Sequence, residues 1–166
     1  MKLGYLALAL LGYSANATDL TRTQWPTADA AAVYGLHTAA MMSTDYEYGG
    51  IIVQNKHTDV ITVTRPETDH KPATVSIRLH PINLREDYIT IGMYHTHPCI
   101  DGYDHRHFSI NDAAEAIYSQ MSSYLLDMCT GTVYVFNPDI DMPDDAGVGL
   151  TNGRLIGYVA LTITKR

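Results

Sequence analysis

A strand-like run, DYITIGMYHTH at 87–97, ends in two histidines and is followed, after a loop containing Gly and Asp, by a helix start at Ser109. This junction constrains the fold more than any other stretch. Residues two apart in a strand point to the same face, so the imidazoles of His95 and His97 can converge on one ion. Zinc takes nitrogen and oxygen ligands, and a catalytic site uses three protein ligands while leaving one position for water. The third ligand must come from elsewhere. Asp112 is well placed for it, in the first turn of the following helix, because a loop returning past the strand end brings the helix start close. Asp104, His105 and His107 are alternative ligands; the bland reading makes them a solvated loop lining the site. The whole stretch could equally be a polar loop, since an H-x-H pair alone is a weak signal.

The remaining pattern supplies the frame. Ser109 is an N-cap residue type with Asp112 three residues on. Ile110, Ala113, Ala114, Ile117, Met121, Tyr124, Leu125 and Met128 then recur at three and four residues, which predicts a helix running to about Met128. An earlier helix is expected over Pro26–Ser43 from Val33, Leu36, Ala40 and Met41, with Thr27 as its cap, Asp29 in its first turn and His37 as a packing or surface residue. EYGGIIVQN and VITVTR read as a hairpin through the polar turn at 55–59. ATVSIRLH alternates, with Val75, Ile77 and Leu79 on one face, and reads as a strand. GTVYVFNP and GRLIGYVALTIT read as two more strands around an acidic loop. The order of helix, three or four strands, helix and two strands predicts a mixed α/β sandwich with a central sheet flanked by helices, not an alternating βαβ array.

With 166 residues, 46% of them hydrophobic, the chain suits one domain. Its net charge of −7 argues against non-specific nucleic-acid binding, which needs a basic face. Residues 1–17 read as a signal peptide: Lys2 supplies the positive start, Leu3 to Leu11 the apolar region, and Ala15 and Ala17 the cleavage pattern. The mature single domain is then 18–166, exported to the periplasm or secreted, and without a membrane span. In such a compartment Cys99 and Cys129 are candidates for a disulfide. Two buried thiols are the alternative, and Cys99 as a metal ligand is a third.

The residues around the histidines, EYGG, then HTHP, then FSIND, resemble the JAMM metalloprotease family, also called JAB or MPN+. The likeness is greatest to a secreted bacterial branch and covers most of the mature chain. Glu47 matches the family's glutamate on an early strand, His95, His97 and Pro98 its H-x-H-P, and Ser109 and Asp112 its S-x-x-D. The loop between His97 and Asp112 is longer than the family's, and Phe108 stands at the usual spacing of the aspartate. The resemblance implies an MPN- or cytidine-deaminase-like sandwich in which His95, His97 and Asp112 hold Zn2+. Glu47 would be the general base and Ser109 a donor to the oxyanion. It implies zinc-dependent hydrolysis of peptide or isopeptide amides by an envelope-acting or toxin-type enzyme. A peptide, isopeptide or peptidoglycan-type substrate would be its partner, with a cognate inhibitor protein if it is a delivered toxin.

Each role has a plainer counterpart: Ser109 as a helix cap alone, Glu47 as an exposed carboxylate beside a turn. At the level of the whole chain the alternatives are a catalytically inactive MPN-like scaffold and a metal-binding protein. His37, His57, His70 and His80 are scattered without ligand spacing, which counts against the second. A barrel amidohydrolase needs about 250 residues, and a papain-like enzyme built on Cys99 or Cys129 lacks a local signature.

Overall fold

The structure, a computed structural model, describes residues 20–21, 23–79, 84–141 and 153–159. The expected signal peptide at 1–17, its cleavage position at Ala17, and His80 lie outside the described residues. The elements are α1 (Ala28–Ala40), β1 (Gly49–Asn55), β2 (Ile61–Val63), β3 (Tyr88–His97), α2 (Ile110–Ser119), β4 (Ser122–Asp127), β5 (Thr132–Phe136) and β6 (Arg154–Tyr158). The six strands form one mixed sheet in the order β2-β1-β3-β4-β5-β6, with β3 and β4 parallel and every other neighbouring pair antiparallel. The architecture is mixed α/β, as the element order predicts. No helix among the described residues is long and apolar enough to cross a membrane.

Strand alternation assigns each face its helix. Tyr94 on β3, Tyr124 and Leu126 on β4, and Val133 and Val135 on β5 pack with Ala31, Ala32 and Leu36 of α1. Met93, Leu125 and Phe136 point the other way, into a smaller core with Phe108 and with Ala113 and Ala116 of α2. Thr27 caps α1, its hydroxyl accepting from the Ala30 amide at 3.2 Å. Asp29 in the first turn accepts from the Tyr124 hydroxyl at 2.7 Å and so ties the helix to the middle of the sheet. The β1–β2 hairpin turns through Asn55, whose side chain accepts from the amides of His57 and Thr58, and through Asp59 at φ 57°.

Two expectations are corrected. The helix predicted to reach Met128 ends at Ser119, with Gln120 in the left-handed region at φ 55°, and residues 122–127 are the central strand β4. Parallel strands cannot be joined by a tight hairpin, so the connection from β3 runs through α2 and the chain must then re-enter the sheet. Tyr124, Leu125 and Leu126 are all buried because β4 is covered on both faces, and such an unbroken apolar run satisfies a helical stripe as readily as a buried strand. Ile110 and Ile117, counted in that stripe, are 56% and 40% exposed, and Ala114 is exposed as well; α2 buries only Ala113 and Ala116. The segment ATVSIRLH at 73–80, predicted as a strand from its alternation, forms no ladder with the sheet over its described residues 73–79 and has only a Lys71–Thr74 bridge. Ile77 and Leu79 still pack against the smaller core, so alternation reflects a half-buried edge without strand pairing.

Candidate metal centre

The C-terminal end of β3 carries the site. His95 and His97 share the face that looks toward α2, while Thr96 between them points to the opposite face and binds Tyr48, just before β1. The Tyr48 amide donates to Thr96 Oγ1 at 3.0 Å, and the Thr96 amide donates to the Tyr48 carbonyl at 2.9 Å. Gly49 pairs with His95 in the antiparallel register, which carries Glu47 to a position across from His97. Gly49 leaves no side chain beside His95; a Cβ there would lie 2.7 Å from Ile77 Cδ1.

Asp112 arrives from the other direction, in the first turn of α2. A capping box holds it: the Ser109 hydroxyl accepts from the Asp112 amide at 3.2 Å, and the Ser109 amide donates to Asp112 Oδ2 at 2.7 Å. That same oxygen faces both histidines, 3.5 Å from His95 Nε2 and 3.6 Å from His97 Nε2. The two Nε2 atoms are 3.2 Å apart. An ion bound tetrahedrally at about 2.0–2.1 Å separates its ligand atoms by about 3.3 Å. The triangle of two imidazole nitrogens and one carboxylate oxygen is therefore of a size and chemistry that could hold a metal ion. The Glu47 carboxylate lies just beyond it, Oε1 being 3.9 Å from His97 Nε2.

The electrostatics follow from crowding these groups out of water. Burial pushes Glu47 upward, more than the charge of His95 and the hydrogen bond from Tyr103 pull it down. Burial opposes protonation of His95, but the Asp112 charge and hydrogen bond outweigh it and raise its pKa. For His97 burial prevails and the pKa falls. Burial alone would raise Asp112; the His95 charge and the hydrogen bonds from His95, His97 and Ser109 hold it well below the usual carboxylate range. Two imidazoles this close cannot both be protonated, and a metal ion held there would take both as neutral ligands.

The site opens into a cavity of about 420 Å³, lined by the site residues, by Tyr103 and by the extended stretch 73–77. Its charged lining side chains are carboxylates and histidines, with no Lys or Arg among the described residues.

The structure thus brings Glu47, His95, His97, Ser109 and Asp112 together. It does not bring in the loop alternatives. Asp104 pairs with His107 at 2.9 Å, and His105 Nε2 lies 3.8 Å from Asp127 Oδ1. Cys99 is disulfide-bonded to Cys129, with Cα atoms 4.8 Å apart, and so offers no thiolate to the site. A second cluster, His105, Asp127 and Cys129, also has donor atoms within 4.8 Å. Its sulfur is spent in the disulfide, and the Asp127 oxygens already accept from the Cys129 amide and the Thr130 hydroxyl. Glu47 is 4% exposed, not an exposed carboxylate beside a turn. The roles of two residues are not legible in the sequence. Phe108 is fully buried against His95 and Phe136, and it anchors the long loop where it returns to α2. Tyr103 donates its hydroxyl to Glu47 Oε1 at 2.7 Å. Neither belongs to a periodic pattern; a lone aromatic in a polar loop was the only signal.

No family profile matches this sequence, and no curated protein does. The solution structure of protein DSY2949 from Desulfitobacterium hafniense is similar at a TM-score of 0.43 and 15% identity, over 79% of this chain and 91% of that one. A likeness at that level bears on neither fold nor function.

Proposed function

We propose that this chain is an exported, JAMM-type zinc hydrolase of peptide or isopeptide amides, built on an MPN-like sandwich. The observation that carries the reading is one oxygen and two nitrogens at 3.2–3.6 Å spacing, with the buried Glu47 carboxylate beside them in an open cleft. His95, His97 and Asp112 would hold the zinc, which when bound polarises an amide carbonyl and acidifies water. Glu47 takes a proton from the attacking water and returns it to the departing amine, a role that suits a carboxylate whose burial raises its proton affinity. The Ser109 hydroxyl accepts from the Asp112 amide, so its own hydrogen is free to donate to the oxyanion. One group thus serves as cap and as donor. The carboxylate-rich cleft favours neutral or cationic substrates.

The test pairs metal content with cleavage. Elemental analysis of residues 18–166 should find about one zinc per chain and none in His95→Ala. Glu47→Ala should keep its zinc and lose zinc-dependent cleavage of peptide and isopeptide amides, because only an enzyme needs the base. Zinc bound with no cleavage by the wild type would instead favour a metal-binding or scaffold protein. A zinc-free wild type would remove the basis of the reading.

A further inference from the structure

The Glu47 carboxylate is buried, and Tyr103 is its hydrogen-bonding side-chain partner among the described residues. Tyr103 does not belong to the sheet or the helices. It comes from the loop 99–107, where it follows Gly102 at φ 79° and closes a turn through its amide to the Ile100 carbonyl at 3.1 Å. The Tyr103 ring also packs edge-on against His97, with centroids 5.3 Å apart. Asp101, Gly102, Asp104 and Arg106 around it are exposed, so the loop buries little apolar surface of its own.

What holds the loop is at its ends. Phe108 is buried at one end. At the other, Cys99 is bonded to Cys129, directly after β4. Cys129 is itself fixed: its amide donates to buried Asp127 at 2.7 Å, and the preceding Met128 amide donates to the His97 carbonyl at 3.1 Å. The disulfide thus ties the start of the loop to the strand beside the histidines. Cys99 is exposed and within reach of a reductant.

We propose that Tyr103 is a positioning residue that orients the Glu47 carboxylate, and that the Cys99–Cys129 disulfide keeps it there, so that the site is active oxidised and weakened reduced. With Oε1 held by the tyrosine, the carboxylate keeps one orientation beside His97; without it, a buried carboxylate that loses this donor is free to rotate. This rests on reading Glu47 as the base of an amide hydrolase. The switching step is an exchange with a dithiol. The S–S bond breaks, each sulfur gains one electron and one proton, and the dithiol is oxidised to its own disulfide.

The experiment compares zinc-loaded wild type, Tyr103→Phe, Cys99→Ser/Cys129→Ser and the triple variant. Tyr103→Phe should lower kcat about tenfold with KM and zinc content unchanged. The double cysteine variant should lose a similar factor, and the triple variant should lose no more than either. Nitration of Tyr103 by tetranitromethane, mapped by mass spectrometry, should rise several-fold once the disulfide is opened. An unchanged kcat in Tyr103→Phe, or losses that multiply in the triple variant, would overturn the proposal. If the wild type shows no Glu47-dependent hydrolysis, the hydrolase reading fails separately. Nitration then decides the tether alone: protection lost on opening the disulfide upholds it, and equal nitration sinks it.

Discussion

Tyr94 immediately precedes the histidines and stands on the opposite face of β3, between two glycines. A Cβ on Gly35 of α1 would lie 2.8 Å from its Cζ. A Cβ on Gly50 of β1 would lie 2.6 Å from its hydroxyl oxygen and 2.7 Å from both its Cζ and Thr64 Oγ1. The hydroxyl donates to the Thr64 carbonyl at 2.6 Å, and the residue is fully buried. Gly50→Ala therefore inserts a methyl group where the ring has no room to retreat. Overpacking costs about 1–3 kcal/mol, and a ring that shifts leaves the Thr64 carbonyl unsatisfied for about 1–3 kcal/mol more. A loss of about 3 kcal/mol is expected, or about 6–12 °C in Tm at about 2–4 °C per kcal/mol for a domain of this size. Urea and thermal unfolding of the metal-free protein would measure it. Tyr94→Phe removes the atom nearest the new methyl, so Gly50→Ala should cost at least about 1 kcal/mol less in that background. A Gly50→Ala protein within about 0.5 kcal/mol of wild type, or costs that simply add, would refute the packing argument.

Three further outcomes follow from the site. Asp112→Ala should weaken zinc binding severely while Asp104→Ala leaves it unchanged; the reverse, by equilibrium dialysis, would move the third ligand into the loop. Ser109→Ala should cost about 1 kcal/mol of stability from the lost cap and about 10²-fold in kcat from the lost donor; stability lost with activity kept would leave Ser109 a cap alone. In metal-free protein Asp112 also makes stability depend on pH. The folded pKa of His95 is raised, so its contribution is fully present below about pH 6.5 and lost as pH rises through the folded value. The folded pKa of Asp112 is depressed, so its contribution is present above about pH 4 and lost as pH falls through the folded value. The stability gap between wild type and Asp112→Asn should therefore be widest between about pH 4.5 and 6 and narrow on both sides. A gap that grows steadily up to pH 8 would contradict that pairing.

Local physics made much of this protein legible without coordinates. The two-residue period of a strand is enough to put His95 and His97 on one face, and Ser109 followed by Asp112 carries the chemistry of a capped helix start. Thr27 and the Asn55 turn follow from the same short-range hydrogen bonding, and Asp29 in the first turn follows from the helix dipole. Other features depended on partners distant in the chain. Residues 121–128 satisfy a helical stripe and a buried strand equally, and only the parallel pairing of β4 with β3 chooses between them. The alternation at 75–79 marks contact of Ile77 and Leu79 with the smaller core, and whether such a segment also pairs as a strand is decided by segments distant in the chain. Glu47 reaches the two histidines through the register of β1 on β3, and Tyr103 reaches Glu47 through a loop closed by a disulfide spanning 30 residues. Periodicity and caps are set by neighbours a few residues away; register, sheet order and loop closure are set by the packing of segments tens of residues apart, and only the tertiary structure specifies them.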